Sequence, residues 1–376
     1  MIVLFLVIVF VVLHQQLFPS SFMLALQDLD QQYFSNIGWP LTSNRQDPLS
    51  SKKPPSIPNV IHFVRLVDEP NKDNTLNFTF HQFVAIYSAH YYMQPDTIYI
   101  HVNVPEHLIL TNLTNSYGRA INKLPNIKYN YHFAPNQTTT GIKIDNLPHR
   151  SDFVRTDVLQ KFGGIYLDDD VYLLRELHTL RHIGYENVVG RQVNGMTCNA
   201  VIMATPGNKM ISAYNTLQNT IYDGGWETHS VFLLTSLARQ FASVGNHVMI
   251  VPQDTFFPLS WEKGDLETLY QVHPDASQLE TNNRSISNQT EFISNFHLWP
   301  PESWRHDWRL SYVLHGWTSS IKNNFDGDEN TPELFDEYKG ISLDYILARN
   351  SNFARAVYPA VKDALDSGFL DDSMDA

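Results

Sequence analysis

Cysteine is nearly missing from this sequence: Cys198 stands alone among 376 residues. No disulfide can form within the chain, and thiol usage says nothing about its compartment. Basic residues are scarce too. Lys and Arg number 26 against 39 Asp and Glu, a net charge of −13 with histidine neutral, and the missing basic field excludes a general grip on nucleic acid. A phosphate-bearing substrate stays open, because a bound cation can bridge two anionic partners. Internal repeats are absent. What is abundant is apolar: 43% hydrophobic and 12% aromatic residues exclude disorder and low-complexity fibre and allow a sizeable core.

The longest apolar run, Ile2 to Leu13, holds twelve residues before His14-Gln15-Gln16, and a second patch covers Phe22 to Leu26. A signal-peptide core fits twelve, whereas a membrane-spanning helix wants about 20. Residues 1–26 are therefore read as a signal-anchor or a cleaved signal peptide. No Lys or Arg precedes the run, so orientation cannot be taken from flanking charge. Asn77, Asn112, Asn136, Asn283 and Asn288 each begin an N-x-S/T triplet. One such triplet is noise, but five behind an apolar leader point to glycosylation in a secretory lumen. Residues 27–58, rich in Ser, Pro, Asp and Gln, read as a stem.

From Asn59 the pattern changes. Asn59–Leu66, Thr97–Val104 and Ile127–Phe133 read as strands, and Thr79–Tyr92 as a helix with Phe80, Phe83, Val84, Tyr87 and Tyr91 at helical spacing. Ser151–Phe162 reads as a helix capped by Ser151, ending at Gly163-Gly164 before a short strand. Strands are expected again at Asn187–Arg191, Thr197–Ala204 and His247–Val251, and helices at Asn208–Tyr222 and His229–Phe241. Alternating elements of this kind give right-handed βαβ units on a mainly parallel sheet. Residues about 271–309 read as an insertion in a domain spanning 59–320, and 321–376 as an acidic appendage with a helix from Asn352.

The chemistry concentrates in Asp168-Asp169-Asp170. Three consecutive carboxylates repel one another unless a cation neutralises them. In an extended segment Asp168 and Asp170 share one face and Asp169 takes the other, and two hard oxygen ligands suit Mg²⁺ or Mn²⁺. A solvated acidic turn is the alternative. Upstream, Asp152 and Arg155 stand three apart on one helix face, able to pair with each other or to grip a ligand together. No side chain stands out as a nucleophile.

The stretch SDFVRTDVLQKFGGIYLDDDV resembles the DXD-containing sugar-binding region of glycosyltransferase family 32. That family includes α-1,4-galactosyltransferase, α-1,4-N-acetylglucosaminyltransferase and initiating α-1,6-mannosyltransferase types. Pro58-Asn59-Val60-Ile61-His62, Asn199-Ala200, Phe256 to Trp261 and Tyr312 to Trp317 resemble its flanking segments. The likeness runs from about Pro58 to Ser320. Where the family carries Thr-Gly-Pro, on the side expected to face the acceptor, this chain has Thr228-His229-Ser230.

The resemblance implies a GT-A fold and sugar transfer with retention from a UDP-sugar or GDP-mannose to a glycan or glycolipid. It also implies Mn²⁺ or Mg²⁺ held by Asp170, Asp168 and His315, with Asp168, Asp170 and Arg155 as the catalytic set. Asp152, Arg155, Asp168 and Asn199 would hold the donor, and Trp317 would cover its diphosphate. Glu227 or His229 could serve as a base, and Trp299, Trp304 and Trp308 could stack on sugars or hold the insertion down. A Golgi membrane protein with a lumenal domain follows, or a secreted one if the leader is cleaved. A fold-retaining but catalytically silent sugar- or partner-binding protein is the competing reading, and a metal-dependent phosphodiesterase a weaker third.

Overall fold

The computed structural model describes residues 55–68, 70, 76–105, 107–109, 113–243, 245–273, 303–318, 341–371 and 374. The apolar leader, nearly all of the stem, the sequons at Asn112, Asn283 and Asn288, and Trp299 lie outside them. Among the described residues no helix is long and apolar enough to cross a membrane.

A seven-stranded sheet organises the molecule. In chain order its strands are β1 (Val60–Arg65), β2 (Thr97–Val102), β3 (Ile127–Tyr131), β4 (Gly164–Leu167), β6 (Asn187–Arg191), β7 (Thr197–Ala204) and β8 (Val248–Val251), while β5 (Val171–Leu173) and β9 (Val313–His315) pair separately. The order across the sheet is β3-β2-β1-β4-β7-β6-β8, and β7 alone runs antiparallel to its neighbours. The chain thus winds outward from β1 to β3, then returns to place β4 on the other side of β1. That reversal opens a crevice at the carboxyl ends of β1 and β4, where open α/β sheets bind ligands.

Helices α1 (Phe80–Met93), α2 (Ser116–Asn122), α3 (Leu147–Phe162), α4 (Lys209–Ile221), α5 (Leu233–Ala242), α6 (Lys263–Tyr270) and α7 (Asn352–Asp366) complete the frame. Because strand side chains alternate, Ile61 and Phe63 join Ile98, Ile100 and the α1 residues Phe83 and Ile86 in one core. Val64 and Tyr166 join Val154, Val158 and the α4 residue Ile211 in a second. The expected α/β architecture, a mainly parallel sheet flanked by helices, is what the chain adopts.

Two expectations need correction. Ser151 is not a cap: α3 begins four residues earlier, at Leu147, with Asn146 as N-cap and Pro148 in the first turn. Pro there needs no N–H partner and supplies the right φ, so Ser151 lies inside the helix. The C-terminal stretch is not an appendage either. In α7, Phe353, Ala354, Ala356, Val357 and Ala360 are buried in the same core as α1, and Tyr87 donates to Asp363 at 2.8 Å. The acidic residues of 321–376 lie mostly outside α7, whose inner face is apolar at helical spacing. Trp308, at the end of the stretch read as an insertion, is fully buried, which is the anchoring role rather than a sugar platform. Trp304 stacks on His273 at 4.2 Å.

Candidate active site

The double glycine sets the site. Gly163 and Gly164 have φ of +61° and +97°, and a Cβ on Gly164 would lie 2.4 Å from the Val60 carbonyl oxygen. Only glycine lets α3 stop and β4 run so close to β1. His62 Nε2 lies 2.7 Å from the Gly163 carbonyl, and its Nδ1 lies 2.9 Å from His101 Nε2. Burial lowers the His62 pKa to about 4 against the opposing bond to Gly163, so the ring is neutral at pH 7.

β4 ends at Leu167, and the three aspartates form a turn into β5 instead of an extended segment. Their carboxylates nevertheless separate by role. Asp168 Oδ1 accepts from Arg155 Nη2 at 2.8 Å and from the Tyr166 hydroxyl at 2.7 Å. Asp170 Oδ2 accepts from the Thr318 backbone N–H and hydroxyl, each at 2.8 Å, and its Oδ1 lies 3.1 Å from His315 Nε2. Asp169 accepts from Gln82 Nε2 at 2.5 Å. Gln82 also closes the capping box of α1, taking the Thr79 N–H, so the helix cap and the acidic turn share one side chain.

His315 reaches Asp170 because β9 pairs antiparallel with β5, setting Val171 opposite His315. As a result one ligand atom from each of Asp168, Asp170 and His315 lies within 4.8 Å of the others. Burial would raise the Asp170 pKa, but His315 and Thr318 hold it well below the usual carboxylate range. Burial would lower that of His315, but the Asp170 carboxylate overrides it and pushes the imidazole up to about 10. Asp168 is raised by burial despite Arg155, and Asp169 is raised to about 6 by burial and by Asp170. Two carboxylates and an imidazole form a hard, oxygen-rich donor set that fits Mn²⁺ or Mg²⁺. His315 then occupies the cation's place electrostatically and must lose its proton before it can ligate.

A second cluster lies on α3. Asp152 Oδ1 sits 3.0 Å from Arg155 Nη1 and accepts from Asn199 Nδ2 at 2.9 Å, while its Oδ2 lies 3.1 Å from His229 Nε2. Arg155 thereby spans Asp152 and Asp168 and stacks over Tyr166 at 4.3 Å. Burial disfavours the Asp152 charge, but Arg155 and His229 outweigh it and lower its pKa. His229 is fully buried on a π-helical turn, Thr228–Phe232, that leads into α5. The sequence gives no sign of this carboxylate contact, since it depends on a π-turn aiming the ring; such turns recur at functional sites. The His229 ring is enclosed by Tyr222, His149 and Phe153, so it has no room to act as an acceptor-side base. Glu227 does line the cavity.

Trp317 is 8% exposed. Its indole N–H donates to the Leu259 carbonyl at 2.8 Å, and its ring lies 3.9 Å from that of His315 and 5.2 Å from that of Trp261. Its φ of +55° is a left-handed conformation that a bulky residue holds only when its surroundings enforce it. A cavity of about 500 Å³ joins these groups, lined by Asp152, Arg155, all three aspartates, Cys198, Asn199, His315, Trp317 and Thr318. Small-molecule sites run from roughly 300 to 1,000 Å³.

Residues 83–190 match the family model described as "Glycosyltransferase sugar-binding region containing DXD motif". That segment carries Asp152, Arg155 and the acidic triplet, so the resemblance read from these residues rests on an independent comparison. Among curated proteins, the chain is 23% identical over 265 residues to "Glucan organizing enzyme 1" of Cryptococcus neoformans, covering 67% of this chain and 65% of that protein. It is 30% identical over 164 residues to the uncharacterized protein At4g19900 of Arabidopsis thaliana, covering 40% of this chain and 24% of that one. The chain thus spans less than two thirds of the length of either relative. Among solved structures, the apo form of the glycosyltransferase GlyE of Streptococcus pneumoniae is 12% identical, with a TM-score of 0.41, covering 83% of this chain and 64% of that one.

Proposed function

We propose that this protein is a metal-dependent, retaining glycosyltransferase that moves a sugar from a nucleotide-sugar to a glycan or glycolipid acceptor in the secretory pathway. It would sit in the Golgi membrane through its apolar leader, or be secreted if that leader is cleaved. The observation that carries the reading is the convergence of Asp168, Asp170 and His315, some 145 residues apart in sequence, at the crevice between β1 and β4. Asp168, Asp170 and His315 would hold Mn²⁺ or Mg²⁺, which supplies charge neutralisation for a departing diphosphate.

The chain's own residues account for the rest. The guanidinium of Arg155, fixed between two carboxylates, presents a preorganised fork for donor oxygens. Asp152, locked by Arg155, Asn199 and His229, holds a donor-sugar hydroxyl, and Trp317 walls the diphosphate end. In front-face transfer the acceptor oxygen bonds to C1 as the C1–O bond to the diphosphate breaks. The acceptor's proton passes to the departing phosphate oxygen, so no protein nucleophile is required.

The Thr228-His229-Ser230 departure does not argue for a silent protein, because His229 holds the donor carboxylate Asp152 instead of leaving a gap. The test is a screen of nucleotide-sugars for Mn²⁺-dependent release of nucleotide. One donor should turn over and stop with chelator. Turnover of none, with no Mn²⁺-dependent nucleotide binding, would favour the silent reading.

A further inference from the structure

At the cavity end away from His315, an aromatic side chain is held out to solvent. Trp226 is 58% exposed yet lines the cavity with Leu147, His149 and Glu227. Leaving an indole in water forfeits the gain of burying it, and this loop is stapled in that position. Asp223 Oδ1 accepts from the Gly225 N–H at 2.8 Å, and its Oδ2 from the Thr228 hydroxyl at 3.0 Å. The Ser230 hydroxyl donates to the Trp226 carbonyl at 3.1 Å. The indole leans on the His149 ring, with centroids 5.3 Å apart.

His149 backs the indole. It is 3% exposed, its Nδ1 lies 3.0 Å from the Tyr222 hydroxyl, and its Nε2 is enclosed, with no hydrogen-bond partner among the described residues. The enclosed imidazole, packed on Tyr222 and His229 as well, is a fixed support for the indole. A flat apolar platform beside the Glu227 carboxylate matches the chemistry of a pyranose ring, apolar on one face and ringed by hydroxyls.

We infer that Trp226 and Glu227 form the acceptor subsite, in which a pyranose ring of the acceptor lies on Trp226, backed by His149, and its hydroxyls bond to Glu227. The inference rests on the transferase reading, since it names that site's second substrate. It also gives Glu227 an acceptor contact that does not require it to act as a base.

The experiment uses the full chain with Mn²⁺ and either UDP or GDP, titrated with methyl glycosides of glucose, galactose, mannose and N-acetylglucosamine. Binding is read by tryptophan fluorescence and by saturation-transfer NMR. At least one glycoside should bind saturably, about ten-fold more weakly to Trp226→Ala, with partial recovery in Trp226→Phe. Glu227→Gln should weaken it by a few-fold. Calorimetric affinity for the nucleotide with Mn²⁺ should stay the same in all three variants, which also reports that they fold. Saturable binding by none of the glycosides, or binding undiminished in Trp226→Ala, overturns the inference. Failure of the wild type to bind either nucleotide overturns the donor reading instead, so the two failures are distinguishable.

Discussion

Replacing His315 by alanine separates the role proposed for this ring, metal ligand, from the one its contacts show, partner of Asp170. In the metal-free protein His315 is a buried partner of Asp170 at 3.1 Å, with its pKa pushed up to about 10. At pH 7 the ring is protonated, so a cation that takes it as ligand must expel that proton. Three pH units correspond to about 4 kcal/mol set against metal binding. The apparent Mn²⁺ affinity of the wild type should therefore rise about ten-fold per pH unit between pH 6.5 and 8.5. Calorimetry in buffers of different ionisation enthalpy should count about one proton released per ion.

In His315→Ala the slope and the proton should both vanish. The affinity at pH 7 should fall only modestly, because the variant loses a ligand and a competing charge together. A wild type with neither slope nor proton release would show that His315 stays protonated and is no ligand.

Stability supplies the other half of this prediction. A simple ligand would leave the metal-free protein untouched on removal, but here removal leaves Asp170, 5% exposed, with the two Thr318 donors as its remaining hydrogen bonds among the described residues. Breaking a buried pair costs about 3–5 kcal/mol, and Thr318 keeps the loss near the lower figure. The metal-free variant should then melt roughly 5–10 °C earlier. The sign with pH follows from a raised folded pKa: the His315 contribution is complete below about pH 6.5 and is lost as pH climbs through about 10. A metal-free variant melting with the wild type would refute the pairing.

The triplet gives a sharper contrast: Asp170→Ala should abolish Mn²⁺-dependent nucleotide binding by calorimetry, whereas Asp169→Asn, tied to Gln82, should stay within a few-fold of wild type. Equal losses would remove the distinction. His62, lowered from 6.5 to about 4, binds protons more readily unfolded than folded, so its contribution is intact above pH 6.5 and lost on the way to pH 4. Urea unfolding should show the wild type losing about 3 kcal/mol more than His62→Gln over that window, and parallel curves would refute it. Asn77 and Asn136 are exposed, so expression in secretory cells followed by glycosidase treatment should increase gel mobility; an unchanged band would contradict the lumenal assignment.

The frame was legible where periodicity dominates. Ile61, Phe63 and Val64 in β1 and Phe80, Phe83, Val84 and Tyr87 in α1 repeat at the spacing that burial demands. Legibility failed where composition hid a face: the acidic residues of 321–376 lie mostly outside α7, whose own charges balance (Arg355, Lys362, Asp363, Asp366), and its inner stripe, from Phe353 to Ala364, has meaning only against α1. It failed again at Ser151, where a good capping residue lost to Pro148, whose fixed φ already suits a first turn.

The site divides along a similar line. Asp152 and Arg155 are readable as a pair because three residues on a helix bring them to one face, and Asp168 with Asp170 because they stand two apart in the chain. His229 was not, since nothing at positions 228–230 indicates a ring aimed at Asp152, 77 residues away. A regular α-helical start would phase these residues differently, whereas the widened π-turn sets His229 inward against Phe153 and Tyr222. Asp152 needs such a partner. Asn199 and Arg155 both bind its Oδ1, and a buried carboxylate with an unmet second oxygen would lose one hydrogen bond's worth of stabilisation, about 1–3 kcal/mol. His229 thus satisfies the second oxygen of Asp152, while Trp226, two residues before Thr228, lines the cavity.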